Sequence, residues 1–160
     1  MKRPCEPASM NTSVVTKTAP TSAATGVTKT AQSARLQTIA TAPPNAAPAA
    51  VLSPATRDWN LVFVSGRTVR NPGTREYSPD IKAQKRNAIE DIKAILEAAG
   101  TSLEQVLSNT CYITRAEDFT GFNEVYTSYF STDKPARTTV LAGLMATGAL
   151  VEITAVACMP

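Results

Sequence analysis

The sequence predicts an α+β domain, a mixed β-sheet with two helices packed on one face, behind an N-terminal extension. Three observations lead there. Up to about Pro48 the chain is dominated by Ala, Thr, Ser and Pro, with few large apolar residues. Beyond that point, short β-branched runs alternate with two segments of helical spacing. Their order reads ββαβαββ, which suits one sheet with its helices on the same side.

The extension buries too little apolar surface to offset its ordering entropy. Residues 1–48 are therefore expected to be disordered and residues 49–160 to form the folded domain. Basic, hydroxyl-rich and almost free of acids, the extension reads either as a mitochondrial transit peptide or as a solvated tail on a cytoplasmic protein. Pro4 and Pro7 interrupt an early amphipathic helix. In the domain, residues 60–65 (NLVFVS) form an apolar run ending at Gly66, the pattern of a strand buried on both faces. Asn71-Pro72-Gly73-Thr74 marks a turn leading to a return strand near Tyr77. Ser78 then reads as a helix N-cap, with Pro79 in the first turn and Asp80 as an early acid. The helix that follows gathers Ile81, Ala88, Ile92, Ile95, Leu96 and Ala99 on one side, and Gly100 ends it. Over residues 106–114, Leu107, Cys111 and Ile113 are expected on one strand face. Asp118 is read as the cap of a second helix rich in Phe119, Phe122, Val125, Tyr126, Tyr129 and Phe130. Strands over 138–142 and 150–158 close the domain.

Composition excludes several chemistries. The chain has no histidine, which removes Ser-His-Asp and Cys-His catalysis and histidine-bearing zinc sites. Its three cysteines, at 5, 111 and 158, lack CxxC spacing. Proton handling in an enzyme of this composition falls to carboxylates, hydroxyls, thiols, backbone groups or water. Residues 1–50 carry five basic side chains against one acid, whereas the rest of the chain carries eleven against twelve. The positive charge is thus a property of the tail, and the domain has no basic surplus for a dedicated nucleic-acid surface. No run approaches the ~20 apolar residues of a membrane span.

Arg137, in PARTTV (135–140), sits where a loop enters a strand. It is either a solvated arginine at a sheet end or a clamp whose guanidinium fork takes a carboxylate through two parallel hydrogen bonds. Glu152 interrupts the apolar last strand. It is either a charge that guards an edge strand against aggregation or a partly buried carboxylate that orients or deprotonates water. Asn123 and Tyr126 lie one helical turn apart, an ordinary surface-plus-core pair or part of a pocket. Ser65-Gly66 ends the first strand, as a plain turn or as a place where a ligand or another backbone comes close. Cys111 and Cys158 read as small core residues.

Together, LVFVSG (61–66), AILEAAG (94–100), FTGFNEVY (119–126), PARTTV (135–140) and VEI (151–153) resemble the RidA/YjgF/UK114 (RutC-like) family, in order and spacing across the domain. The resemblance implies a chorismate-mutase-like (YjgF/L-PSP) fold and a homotrimer with three ligand sites between subunits. It implies hydrolysis of reactive imines, formed from enamines such as 2-aminoacrylate, to 2-keto acids and ammonia, with neither metal nor cofactor. By position, Arg137 matches the arginine that grips the substrate carboxylate and Glu152 the acid that places the attacking water. Asn123, Ser65 and the backbone at Thr139 match pocket-lining positions. Two substrate-binding positions depart from the pattern. Leu52 stands where family members often carry tyrosine, and Arg67 where glutamine is usual; an added cation there suits a more anionic substrate or simply points to solvent. Two other readings stand beside deamination: a non-catalytic ligand-binding or chaperone-like trimer, and the RNA binding or endoribonuclease activity also attributed to the family.

Overall fold

Asp80 fixes the start of the first helix, α1 (Ile81–Ala98): its backbone is extended and its carboxylate accepts the amides of Lys82 (3.0 Å) and Ala83 (3.2 Å). The cap therefore lies two residues beyond Ser78, whose hydroxyl accepts the amide of Asp80 instead. A carboxylate reaching two of the orphan amides of the first turn outcompetes a single hydroxyl further back. Ile81, Ala88, Ile89, Ile92, Ile95 and Leu96 form the buried stripe of α1, and Gly100 follows it at φ +85°.

The computed structural model describes residues 36–39, 52–71 and 73–160. Its strands are β1 (Leu36–Ile39), β2 (Ala55–Asp58), β3 (Leu61–Arg67), β4 (Val106–Ile113), β5 (Ala136–Leu141) and β6 (Val151–Cys158), and the second helix is α2 (Phe119–Tyr129). They form one sheet in the order β1-β2-β3-β6-β4-β5, in which β4 and β5 run parallel and every other neighbouring pair antiparallel. The expected α+β class holds, with a mixed sheet and both helices on one face. Val62, Val64, Cys111, Ile113, Val151, Ile153, Ala155 and Ala157 line that face and are buried with the apolar stripes of the helices. The opposite face has no helix among the described residues, and Phe63 and Leu107 stay more than two-fifths exposed. Among the described residues no helix is long and apolar enough to cross a membrane.

Three local expectations change. The partner of β3 in its hairpin is β2, on its N-terminal side, and Tyr77 lies in a loop where its hydroxyl meets Thr68 (3.0 Å). The hairpin turns through Trp59-Asn60, with Trp59 at φ +56°. A bulky residue rarely takes that conformation, so the turn carries no compositional signal. Leu107 leaves the buried face because the β4–β6 register slips between Val106 and Ser108, and a one-residue slip exchanges the faces. Asp118 stands at the N-terminus of α2 without a side-chain capping bond. Its carboxylate takes Arg115 through two contacts instead, 2.7 and 3.2 Å. Within 1–48 the strand β1 forms and pairs with β2; the rest of that expectation lies outside the described residues.

Candidate active site

Two clusters carry the predicted residues, on opposite faces of the sheet. In the row Arg137–Asn109–Ala155, Asn109 is buried on the helix side and its amide donates to the Tyr126 hydroxyl (3.1 Å). Arg137 shares that face. Its guanidinium carbon stands 4.5 Å from the Tyr126 ring centroid and 5.3 Å from that of Phe122, a cation–π arrangement. The two rings are themselves near-parallel, with centroids 6.4 Å apart. Among the described residues no carboxylate pairs with Arg137. Its fork is held in place by aromatic faces while its donors stay available.

Thr139, two residues along β5, faces the same side. Its hydroxyl is buried with no hydrogen-bond partner among the described residues, an arrangement uncommon in folded proteins and one that a ligand atom would relieve. Asn123 follows Phe122 on α2 and is half-buried. Beneath them lies a residue that sequence reasoning missed. Lys85 of α1 is wholly buried, and its amine donates to the Phe122 carbonyl (2.7 Å). It stands 2.9 Å from the Phe122 centroid and 4.6 Å from that of Tyr126. Burial pushes its pKa down to about 6, and the same cause pushes the neighbouring Cys111 thiol up to about 11. The available signal was position: residue 85 falls on the stripe formed by Ile81, Ala88 and Ile92.

The second cluster lies on the uncovered face. In the row Val140–Tyr112–Glu152, Tyr112 is three residues from Asn109 along β4, so its side chain points the other way. Glu152 is half-buried and lies across Gly66. A Cβ at Gly66 would overlap Glu152 Oε1 and stand 2.8 Å from its Cδ. The β3–β6 register slips between Val64 and Arg67, which places Ser65-Gly66 in a bulge. Bulge and glycine together make the floor on which the carboxylate rests. Ser65 ties this floor to the preceding segment, its hydroxyl donating to the Ser53 carbonyl (2.7 Å) and its amide to that of Pro54 (3.0 Å). Leu52 is 58% exposed at the start of that segment. Arg67 turns to the helix side and pairs with Asp91 of α1.

One chain therefore places Arg137 and Thr139 on the helix side of the sheet, with Asn123 on α2, and Glu152 and Ser65 at the bulge, with Leu52 at the start of the segment tied to it. It does not bring the two sets together.

Comparison with known proteins bears on the fold and the family. Residues 41–159 match the family model described as endoribonuclease L-PSP. A RutC family protein of Pyrococcus horikoshii is 43% identical over 106 residues, spanning 66% of this chain and 84% of that one. A RutC family protein of Saccharolobus solfataricus is 41% identical over 99 residues, spanning 61% and 79%. The crystal structure of RidA from the Antarctic bacterium Psychrobacter sp. superposes with a TM-score of 0.68 at 37% identity, over 77% of this chain and 99% of that chain. Yeast Mmf1 gives 0.70 at 28%, over 78% and 99%. With the family model spanning the whole described domain from β2 to β6, the chain belongs to the RidA/YjgF/RutC family, whose model carries the endoribonuclease L-PSP description.

Proposed function

We propose that this protein hydrolyses reactive imines of the 2-aminoacrylate type to 2-keto acids and ammonia, in sites formed between copies of a homotrimer. The observation that carries the reading is the guanidinium of Arg137, fixed over Phe122 and Tyr126 and paired with no carboxylate among the described residues. Such a fork suits a planar carboxylate. Holding the substrate by that group fixes its imine carbon, and positioning alone supplies a large part of such a rate. Glu152 is the base for the water: it accepts a proton as water adds to the imine carbon and returns it to the imine nitrogen, and the resulting carbinolamine collapses to the keto acid as its hydroxyl proton passes to the departing ammonia. Thr139, with its unsatisfied hydroxyl on the same sheet face, is a candidate for a further ligand contact.

Because Arg137 and Glu152 face opposite sides of one sheet, a ligand touching both needs the Arg137 edge of one copy against the Glu152 face of another. The exposed apolar side chains on the uncovered face, Phe63 and Leu107 among them, support the same assembly.

The family model's description favours a second reading, RNA cleavage. The near-neutral domain and the absence of histidine weigh against it. The test is turnover of enzymatically generated 2-aminoacrylate, read as pyruvate formed, beside an RNA cleavage assay. Arg137→Lys should lose nearly all turnover, since an ammonium offers no fork. Glu152→Gln should lose on the order of 10²–10⁴ in rate while still binding pyruvate. Wild-type turnover in both variants would defeat the assignment, and RNA cleavage insensitive to both would favour the second reading.

A further inference from the structure

Lys85 is completely buried in α1, and lysines are almost never so placed unless paired. Among the described residues no carboxylate meets it. Its partners are one carbonyl, that of Phe122, and the faces of Phe122 and Tyr126. Arg137 uses those same two rings. Two basic groups from different elements thus share one aromatic pair, and only one of them has access to the site.

We propose that Lys85 is a positioning residue of the Arg137 clamp: it holds the ring pair on which the guanidinium rests, and it takes up a proton when a carboxylate settles on Arg137. The second half rests on the reading of Arg137 as an anion clamp. Anchored to the first turn of α2 through the Phe122 carbonyl, the amine fixes that ring from below while the guanidinium lies against the same pair. Burial holds the amine largely uncharged at neutral pH, and the Arg137 guanidinium adds to that effect. A bound carboxylate neutralises Arg137 and removes its share of the depression, so proton and carboxylate bind cooperatively. The ionisable groups facing Lys85 are Cys111 from β4, Tyr126 from α2 and Arg137 from β5. Burial raises the first two, Cys111 to about 11. In this cluster only Lys85 titrates near pH 6.

The experiment follows the Lys85 side-chain ¹³Cε resonance through pH in the full chain, assigned by its loss in Lys85→Met. It is titrated in the free protein, in Arg137→Gln, and with saturating pyruvate. The expected midpoint is about 6 in the free protein, rising by about half a unit or more in both other samples. An unmoved midpoint in Arg137→Gln overturns the proposal, as does pyruvate that binds calorimetrically without moving it. A midpoint that moves in Arg137→Gln while pyruvate fails to bind at all overturns the anion-clamp reading and the proton uptake with it. That last outcome upholds the coupling of Lys85 to Arg137. Only the assignment depends on Lys85→Met folding, since the deciding titrations keep the native lysine.

Discussion

At the scale of single residues, the site is shaped by what each polar group lacks. Among the described residues Arg137 has rings and no carboxylate, Thr139 a buried hydroxyl and no partner, and Lys85 a carbonyl and no anion. Lys85 also leaves a mark on stability that is independent of any ligand. Its folded pKa is depressed, to about 6, so the unfolded chain binds more protons at every pH between there and the ordinary lysine value. Stability must then rise with pH across that window, by about 1.4 kcal/mol per unit from this one group. Lys85→Met removes the term, because methionine fills a similar volume without a charge to desolvate. The variant is expected to be more stable than the native protein at pH 7, with an advantage that narrows toward pH 9 in urea unfolding. Parallel stability curves would show that the amine keeps its proton in the fold. Arg137 and Glu152 were legible in the sequence because a strand entrance and an apolar strand make a charge conspicuous. Lys85 was not, since a lysine on an amphipathic helix reads as solvated until the facing element is known.

At the scale of elements, the glycine-bearing bulge of β3 sets where the Glu152 carboxylate lies. The apolar runs and helical stripes could be read from the sequence because burial imposes their period. What escaped were the places where one residue changes a register. Trp59 turns a hairpin at positive φ, and the slip beside Leu107 moves that leucine to the exposed face. The Ser65-Gly66 bulge was marked by its glycine, but not which group would use the space. Gly66→Ala tests that use. The new methyl would overlap Glu152 Oε1, and the neighbour at fault is the end of a flexible side chain rather than backbone. The carboxylate should swing away at a modest cost in stability, on the order of 1–3 kcal/mol. Turnover should then fall toward that of Glu152→Gln, while pyruvate binding through Arg137 persists. Normal turnover with a lowered unfolding midpoint would mean that the close approach serves packing alone.

At the scale of the whole molecule, the division of the site between two faces makes a demand on assembly. In the proposed trimer, a closed ring with a head-to-tail contact would place the same edge of each copy against the same face of the next, so that every site would draw Arg137 from one chain and Glu152 from another. Two chains that are each inactive can then complement one another. In trimers refolded from an equal mixture of Arg137→Ala and Glu152→Gln chains, a site is intact when its arginine comes from the Glu152→Gln chain and its glutamate from the Arg137→Ala chain. Random mixing makes about a quarter of the sites intact. Deaminase activity should therefore return to roughly that fraction of the native level, although each variant refolded alone stays inactive. Size-exclusion chromatography with light scattering on the same samples checks that trimers form. Trimers that mix freely and remain inactive would show that both residues act from one chain, which the two sheet faces make geometrically difficult.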